Sequence, residues 1–439
     1  MEKLLIISYH FPPDSAIGAI RPAKFAKYLP EFGWKPIIYT VNEKHYESCD
    51  ASRLEEPLKG IAIYRSSPIP GPLQLYSGIR SRSTPVTAPV GKAASHEMGR
   101  PGYSKRFISS LLRLPDEHQG WIFSIAAHGR RILKEHGISV FMTSGPPMST
   151  HLGGLLLKKM TGAHWITDFR DPWTTMQEWK DEAFRSDTAL RIERWLEGKT
   201  VSAADGIITT TPSVTRYFRS LLPREEREKV ITITNGYDNS DFQGLPGDAA
   251  NPPGMRLTHA GSLYLGRNPE PFFEALRNLI TRGAIGSREV QVDFIGDPHY
   301  NGAPLSTMVQ KYGLSHTVSL PGKMDFRECF QRLLDSQGLL LLAQDQPQEI
   351  PGKVFEYLRL NKPTLAITDE GDTRDLLQAF PNFFLADPRK QGEIEEKLLE
   401  TMRSMRDKGR TRPDDGITRY DRRALTAELS SWLSARTSP

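Results

Sequence analysis

Three short segments of the chain combine glycine with positive charge, the residue types that bind anions. In the first, HFPPDSAIGAI (10–20), an apolar run leads through Gly18 into a helical pattern that starts near Arg21. A glycine beside a helix amino terminus lets backbone N–H groups approach a negatively charged ligand closely. A glycine that merely makes a turn is an equally good interpretation of this segment alone.

The second segment adds a guanidinium. HAGSLYLGRNPEPFFEAL (259–276) has Gly261 and Ser262 at the end of a strand pattern and Arg267 in the loop before a helix. Arginine in such a loop suits bidentate contact with phosphate. A solvated loop arginine is the alternative.

The third segment, AQDQPQEIPGKVFEYLRLNKPTLAI (343–367), places Gly352, Lys353 and Glu356 at the start of a helix, with the two charged residues on one side of its opening turns. Glu356 can accept hydrogen bonds from two sugar hydroxyls, as an acidic residue does for ribose in dinucleotide sites, or it can cap the helix. The dinucleotide fingerprint G-x-G-x-x-G does not occur, which argues against a nicotinamide or flavin enzyme.

A fourth segment, WITDFRDPWTTMQEW (165–179), supplies Asp168, Arg170 and Asp171 directly after a strand pattern. The carboxylates can act on a hydroxyl as base or positioning group, or Arg170 can pair with one of them in the interior. The sequence contains no D-x-D motif and no His/Cys cluster at ligand spacing, so it predicts no metal site.

The elements that must position these residues alternate along the chain. Continuous apolar runs, typical of parallel strands buried on both faces, are separated by helical patterns, and the alternation restarts after the turn-rich stretch 238–254. The predicted strands are 4–9, 35–41, 61–66, 140–145, 164–169, 206–211 and 230–236, then 256–262, 291–297, 318–323, 338–343, 364–369 and 383–387.

This pattern predicts an α/β protein with two doubly wound, Rossmann-like domains. We place the first domain at residues 1–240, a linker at 241–254 and the second domain at 255–415. Ligands of such domains bind at the carboxyl ends of the strands, so the cleft between the two halves is the expected site.

Composition fits a soluble globular protein, with 38% hydrophobic and 25% charged residues. The formal charge of +5 suits an anionic partner without identifying it. The amino-terminal run LLIISY is too short for a signal peptide or a membrane span. The two cysteines, Cys49 and Cys329, lie far apart in sequence, which favours a reducing cytoplasm over a disulfide framework.

The segment RPGYSKRFISSLLRL (100–114) differs from the rest, because it carries basic residues and no acidic one beside an apolar helix face. It predicts either a helix that lies on an anionic membrane surface through Lys105, Arg106 and Arg113, or an ordinary surface helix with its apolar face in the core.

The motifs FPP…GAIRPAKFAKYLPEFGW, DFRDPW, NGYD, HAGSLYLGRNPEP and IPGKVFEYLRLNKPTLAI, in this order, resemble the bacterial family 4 glycosyltransferases of the GT-B fold, especially those of surface-polysaccharide synthesis. The resemblance covers nearly the whole chain. It implies a retaining, metal-independent enzyme that transfers a hexosyl or N-acetylhexosaminyl group from a UDP- or GDP-sugar, without a further cofactor. The implied acceptor is a glycan or polyprenyl-linked sugar rather than nucleic acid, at the cytoplasmic face of the plasma membrane.

The resemblance also implies roles for single residues. Gly18 corresponds to the loop facing the donor's phosphates and transferred sugar, Arg267 to the basic residue that holds the diphosphate, and Glu356 to the second glutamate of the family's E-x7-E motif, which binds the ribose. Lys353 adds positive charge for the leaving group. The last helix, about 418–435, is expected to return to the first domain.

Three departures from the family pattern concern the site. Gln348 stands where the first glutamate of E-x7-E is usual, Ser262 where an arginine is usual, and Gly145 where some members carry a histidine. Glu349 is the expected replacement for the missing carboxylate, with Asp168 and Asp171 as the other candidates. The alternative functions are a nucleotide-sugar epimerase or phosphorylase on the same fold, and a non-catalytic homologue that binds nucleotide sugars.

Overall fold

The computed structural model describes residues 1–50, 58–70, 111, 113–175, 186–245, 254–264, 266–407 and 416–437. These residues form two compact units. The first contains the described residues up to Asn235 together with those from Arg422 onward, and the second contains the described residues from Gly236 to Asp421.

In the first unit, the described strands form one seven-stranded parallel sheet in the order β3-β2-β1-β4-β5-β6-β7. The strands are β1 Glu2–Ser8, β2 Trp34–Val41, β3 Ala62–Ser66, β4 Val140–Gly145, β5 His164–Phe169, β6 Gly206–Thr209 and β7 Val230–Thr232. The connecting helices are α1 Ile20–Tyr28, α2 Gly120–His136, α3 Ser149–Thr161, α4 Asp187–Ala203 and α5 Pro212–Ser220. The apolar residues of the central strands are buried on both faces, which explains their continuous apolar runs.

In the second unit, a six-stranded parallel sheet has the order β12-β9-β8-β13-β14-β15. Its strands are β8 Met255–Ala260, β9 Val290–Ile295, β12 Val318–Gly322, β13 Gly338–Ala343, β14 Thr364–Thr368 and β15 Phe383–Ala386, and a small antiparallel ribbon adds β10 His299–Tyr300 and β11 Ala303–Pro304. The helices are α6 Glu270–Thr281, α7 Leu305–Lys311, α8 Phe326–Asp335, α9 Gly352–Leu360, α10 Asp372–Leu377 and α11 Gln391–Arg406.

The last helix, α12 Arg422–Thr437, belongs to the first unit. Its residues Leu425, Leu429 and Leu433 are buried in one cluster with Phe25 and Leu29 of the first helical segment. The helix begins at Arg422, four residues later than expected, because residues 418–420 form a separate 3-10 turn.

Strand order reverses at one place in each sheet, between β1 and β4 in the first and between β8 and β13 in the second. Connections leave such neighbours in opposite directions, so a crevice opens at their carboxyl ends and ligands bind there. The loops that contain Gly18 and Gly261 follow β1 and β8, and the segment that leads to Lys353 follows β13. The fold therefore brings Gly18 in the first unit, and Gly261 and Lys353 in the second, to the switch points, whereas Asp168 and Asp171 lie at the carboxyl end of β5.

Candidate functional site

At the switch point of the second unit, Gly261 and Lys353 approach each other closely. Gly261 has a φ of +114°, in the region that favours glycine, and a Cβ at this position would lie 2.9 Å from Lys353 Nζ. The N–H of Gly261 donates to Ile295 O at 2.8 Å, which fixes the turn after β8. Any side chain at residue 261 would therefore displace the ammonium of Lys353.

His259 lies next to Lys353, and the sequence did not indicate it as a site residue. Lys353 Nζ is 3.3 Å from His259 Nε2, and His259 Nδ1 is 3.0 Å from Leu340 O. Because a carbonyl oxygen only accepts, Nδ1 carries the hydrogen, and Nε2 can accept from the ammonium. Burial, followed by the charge of Lys353, lowers the pKa of His259 well below its usual value. A neutral imidazole thus orients the lysine.

Lys353 lies close to a second positive charge, that of Arg267. Burial and the nearby charge of Arg267 lower the pKa of Lys353 well below that of a free lysine, while Glu356 opposes the shift. An anion such as a phosphate group would relieve this electrostatic cost.

Arg267 follows a tight turn after β8. Its backbone N–H donates to Tyr264 O at 2.8 Å, and its guanidinium carbon stacks 4.0 Å from the centre of the Tyr264 ring. Nη1 donates to Ser262 O at 3.4 Å, whereas the buried Nε makes no hydrogen bond within the described residues. The guanidinium is therefore held by stacking and keeps donor capacity for a ligand.

The remaining predicted residues of this unit surround the start of α9. Gly352 is its first residue and Glu356 lies half-buried one turn later, while the preceding loop contains the half-buried Gln348 and Glu349. Burial and the charge of Glu356 raise the pKa of the Cys329 thiol, on α8, to about 11. Gly261, Ser262, Arg267, Lys353 and Glu356 thus occur in one region of the second unit.

In the first unit, Gly18 is fixed by Arg170. The guanidinium of Arg170 donates to the carbonyl oxygens of Gly18, Gly145 and Pro146, and a Cβ at residue 18 would lie 2.6 Å from Arg170 Nη1. One buried arginine thereby joins the loops that follow β1 and β4. A side chain at residue 18 would therefore displace the guanidinium of Arg170.

Asp168 is fully buried, and its ion pair forms with a different arginine from the one expected. Arg21 Nε donates to Asp168 Oδ1 at 3.0 Å, and Ser144 Oγ donates to Asp168 Oδ2 at 2.7 Å. This geometry favours a structural role for Asp168 over contact with a substrate hydroxyl. Asp171 is half-buried, and burial raises the pKa of its carboxyl while Arg170 opposes the shift.

The predicted membrane segment is largely outside the described residues, which include neither Lys105 nor Arg106. Arg113 is exposed and lies 3.7 Å from Glu117. Within the described ranges, no helix is both long and apolar enough to cross a membrane. Among the same residues, no group of three or more His, Cys, Asp or Glu side chains has an arrangement that could hold a metal ion.

Comparison with known proteins identifies the first unit. Residues 25–236 match the model of the glycosyl transferase 4-like domain. The matched stretch of the first unit is similar to a glycosyl transferase 4-like domain. This result confirms the resemblance to family 4 enzymes, and the matched residues include strands β2 to β7, with Arg170 and Asp168. No curated protein matches the chain significantly.

Solved structures confirm the two-domain GT-B fold over nearly the whole chain. Sucrose-phosphate synthase from Thermosynechococcus elongatus gives a TM-score of 0.65 at 14% identity, covering 99% of both chains. Anabaena Alr3699/HepE, solved with UDP and glucose, gives 0.60 at 13% identity, covering 99% of this chain and 100% of that one. A putative UDP-N-acetylglucosamine 2-epimerase from Listeria monocytogenes gives 0.54 at 10% identity, covering 100% and 98%. At these identities the likeness extends to the fold alone.

Proposed function

We propose that the protein is a retaining glycosyltransferase that moves a sugar from a nucleotide-sugar donor to a glycan or lipid-linked acceptor in cell-surface polysaccharide biosynthesis. The observation that carries this proposal is the cluster of Lys353 and Arg267 around Gly261, at the switch point of the second unit. The glycosyl transferase 4-like domain at residues 25–236 supports the reaction class.

The donor's diphosphate is the anion that fits this cluster. Lys353 supplies an ammonium held by His259, and Arg267 supplies a guanidinium with an unused donor. The backbone N–H groups at the start of α9, at Gly352, add the positive end of the helix dipole. Glu356, one turn into α9, is the proposed partner of the ribose hydroxyls of a UDP- or GDP-sugar.

We propose that the same groups make the largest contribution to lowering the reaction barrier. Sugar transfer builds negative charge on the leaving diphosphate while the sugar becomes cation-like, so preorganised positive groups lower the barrier. We propose that Lys353 and Arg267 perform this role without a metal ion. Gln348 and Glu349 then contact the transferred hexosyl or N-acetylhexosaminyl group, with Glu349 supplying the carboxylate that Gln348 lacks.

The acceptor is proposed to bind the first unit near Asp171, and Gly18 is proposed to bind the donor. Asp168 has a positioning role there through Arg21 and Ser144 rather than contact with the acceptor. We further propose that the enzyme works in the cytoplasm, at the inner face of the membrane, where Lys105, Arg106 and Arg113 contact anionic lipid.

A donor panel tests the proposal. The protein is incubated with UDP-glucose, UDP-galactose, UDP-N-acetylglucosamine and GDP-mannose, each with and without octyl glycosides as acceptors, and products are identified by mass spectrometry and NMR. Acceptor-dependent glycoside with the donor's anomeric configuration is the expected result. An inverted product would remove the retaining assignment, and binding without turnover would favour a non-catalytic homologue.

An epimerase is the second candidate, because the chain shares its fold with a putative UDP-N-acetylglucosamine 2-epimerase. Epimerisation needs no acceptor. Conversion of UDP-N-acetylglucosamine in the absence of octyl glycoside would therefore favour this candidate over transfer. A nucleotide-sugar phosphorylase is distinguished from the other candidates by activity with inorganic phosphate as the acceptor.

A further inference from the structure

A buried glutamine at the end of β13 contacts the loop that carries Arg267. Gln344 directly follows β13 and is 3% exposed. Its backbone N–H donates to Gly266 O at 2.7 Å, and its side-chain Nε2 donates to Asn268 O at 2.8 Å. Gly266 and Asn268 are the residues immediately before and after Arg267. One residue at the edge of the sheet therefore holds the backbone on both sides of this arginine.

The contact with Asn268 fixes the orientation of the Gln344 amide. Because a carbonyl oxygen only accepts hydrogen bonds, the nitrogen of the amide must face Asn268 O. The buried Oε1 of Gln344 makes no hydrogen bond among the described residues. The described polar contact of this side chain is thus the bond that it donates to Asn268 O, and an apolar side chain of similar length cannot make that bond.

The loop packs closely against the end of β13. Gly266 is buried and has a φ of +77°, and a Cβ at this position would clash with Gln344 O. On the other side of Arg267, Asn268 Oδ1 accepts the Glu270 N–H at 3.0 Å at the start of α6. The backbone that carries Arg267 therefore lies between a contact with the sheet and a contact with the helix.

The hydrogen bond and the ring contact of the Arg267 side chain lie within its own loop, at Ser262 O and at the Tyr264 ring. Tyr264 is itself 39% exposed. Contacts within a loop orient a side chain relative to that loop, but not relative to the sheet. The position of the guanidinium relative to Lys353 therefore depends on what holds the loop to the sheet, and Gln344 does so through two hydrogen bonds.

We propose that Gln344 is the positioning residue of Arg267 and that it thereby sets the affinity of the second unit for the diphosphate of a nucleotide. This inference rests on the proposed function, in which Arg267 holds that diphosphate. An ordered guanidinium loses less side-chain entropy on binding than a mobile one, so a loop that is fixed before the nucleotide arrives strengthens binding. Loss of the contact with Asn268 should therefore weaken the binding of phosphate-bearing ligands.

Direct contact between Gln344 and the nucleotide is the alternative role. The burial of Oε1 argues against it, because a ligand needs an accessible atom. The two roles also differ in their coupling to Arg267. If Gln344 acts through Arg267, replacing it has no effect once the guanidinium is absent. If Gln344 contacts the ligand, the loss of affinity persists without Arg267.

The test is a double-mutant cycle in the full chain, with UDP and GDP as the probes. Methionine has nearly the size of glutamine but cannot donate to Asn268 O, so Gln344→Met removes the contact with little change in volume. Isothermal titration calorimetry should show that the affinity for the nucleotide falls by at least about fivefold, the range for one lost hydrogen bond. In the Arg267→Ala background, the same substitution should change the affinity by less than about twofold.

Gln337→Met is the matched control, because Gln337 directly precedes β13 at the opposite edge of the sheet. Gln337 also makes a double contact, since its N–H donates to Arg256 O at 3.1 Å and its Oε1 accepts the Arg256 N–H at 2.8 Å. This variant should keep the wild-type affinity for the nucleotide, even where its melting temperature falls. Equal losses of affinity in Gln337→Met and Gln344→Met would overturn the positioning role, because affinity would then follow the stability of the sheet.

Two further measurements keep the test decisive where Gln344→Met does not fold. Gly266→Ala retains the Gln344 side chain but pushes the loop away from Gln344 O, so it should also weaken UDP or GDP binding, and only when Arg267 is present. The matching nucleoside, uridine or guanosine, has no phosphate. Its affinity, measured by NMR titration, should be equal in the wild type and in Gly266→Ala, and an equal loss for nucleoside and nucleotide would overturn the inference.

The outcomes distinguish this inference from the proposed function. Nucleotide binding by the wild type together with full affinity in Gln344→Met or in Gly266→Ala overturns the role of Gln344 alone, as does a loss that persists in the Arg267→Ala background. A wild type that binds neither UDP nor GDP overturns the proposed donor site and, with it, this inference.

Discussion

Arg267 and Lys353 both carry positive charge near the turn after β8, but they are held in different ways. Lys353 is oriented by a hydrogen bond to a buried imidazole, whereas Arg267 is oriented by stacking on the Tyr264 ring. Stacking leaves the donors of a guanidinium available, so Arg267 can form the bidentate contact with phosphate that an ammonium cannot. The two residues are therefore not interchangeable.

The first prediction concerns Arg267. Arg267→Ala should lower kcat/KM by at least about a hundredfold, because one preorganised group that stabilises the leaving charge is lost. The measurement is the initial rate of transfer from the donor that the panel identifies. Arg277→Ala is the control, since Arg277 is exposed on α6 and lies 3.8 Å from Glu274. A near-normal rate in Arg267→Ala would make this residue part of the solvated surface.

The second prediction concerns Glu349, the carboxylate that we propose contacts the transferred sugar. Glu349→Gln should cost more activity than Gln348→Ala, because only the glutamate can stabilise developing positive charge. Both variants should melt at nearly the wild-type temperature, since loop side chains contribute little to the core. A large gain in rate from Gln348→Glu, with no effect of Glu349→Gln, would contradict the compensating role of Glu349.

The third prediction uses His151, which is fully buried on α3. Its Nδ1 is 3.0 Å from Thr143 Oγ1, and burial lowers its pKa to about 3. Between this value and the ordinary pKa near 6.5, the unfolded chain binds a proton that the folded chain excludes. His151 therefore makes the free energy of unfolding fall as pH drops from about 6.5 towards 3, by up to about 1.4 kcal/mol per pH unit.

Urea unfolding between about pH 4 and pH 7 measures this effect, with His151→Gln as the comparison. The stability difference between wild type and variant should shrink as pH falls, because glutamine does not titrate. Parallel curves would show that His151 is protonated equally in both states.

At the scale of elements, the sequence predicted where the strands lie along the chain. It did not predict which residues from distant parts of the chain contact one another. Each of the thirteen runs expected to be a strand overlaps an observed strand, because continuous apolar runs leave little choice in a parallel sheet. The ribbon of β10 and β11 was missed, since two-residue strands carry no periodicity. The loops that contain Gly18 and Gly261 follow the strands β1 and β8, which lie at the switch points of the two sheets.

Contacts between residues far apart in sequence could not be predicted. Asp168 pairs with Arg21, 147 positions away, although Arg170 is two residues distant. His259 lies 94 positions before Lys353 and reads in the sequence as an ordinary strand residue. Such pairs depend on which strands are neighbours and on side-chain direction, and hydrophobic periodicity carries neither kind of information.

The fourth prediction concerns the loop between β13 and α9, which the start of α10 holds in place. Gly371 has a φ of +145°, and a Cβ there would lie 2.4 Å from Pro347 O. Thr373 Oγ1 donates to Glu349 O at 2.7 Å. Gly371→Ala should therefore displace the loop, raising KM for the donor and lowering the melting temperature.

The control for Gly371→Ala distinguishes the effect of a steric clash at the new Cβ from the effect of a positive φ. Gly313 also has a positive φ, +69°, but no atom lies within 4 Å of a Cβ built on it. Gly313→Ala should cost about 1–2 kcal/mol of stability, the usual strain of a left-handed residue, with an unchanged KM. Equal KM values in the two variants would show that the α10 contact does not position the loop.

At the scale of the whole chain, the first unit is assembled from both ends of the sequence. Leu425, Leu429 and Leu433 of α12 complete a core that begins with Leu4 and Ile6 of β1. The first unit is therefore complete only when the last residues of the chain are present. The second unit is formed by one continuous stretch of chain between these parts, Gly236–Asp421, as far as the described residues show.

The last prediction concerns the membrane. Replacing Lys105, Arg106 and Arg113 by glutamine should reduce binding to vesicles that contain phosphatidylglycerol, because each basic residue near an anionic surface contributes about 1 kcal/mol. Wild-type binding should weaken as salt rises, since the attraction is screened. A control variant replaces three exposed basic residues of α2, Arg130, Arg131 and Lys134, and removes the same total charge. Equal losses of vesicle binding in the two variants would show that binding depends on net charge alone. Unchanged binding in the variant of Lys105, Arg106 and Arg113 would indicate that segment 100–114 packs in the core. Only a loss confined to that variant supports a segment that presents the enzyme to a lipid-linked acceptor.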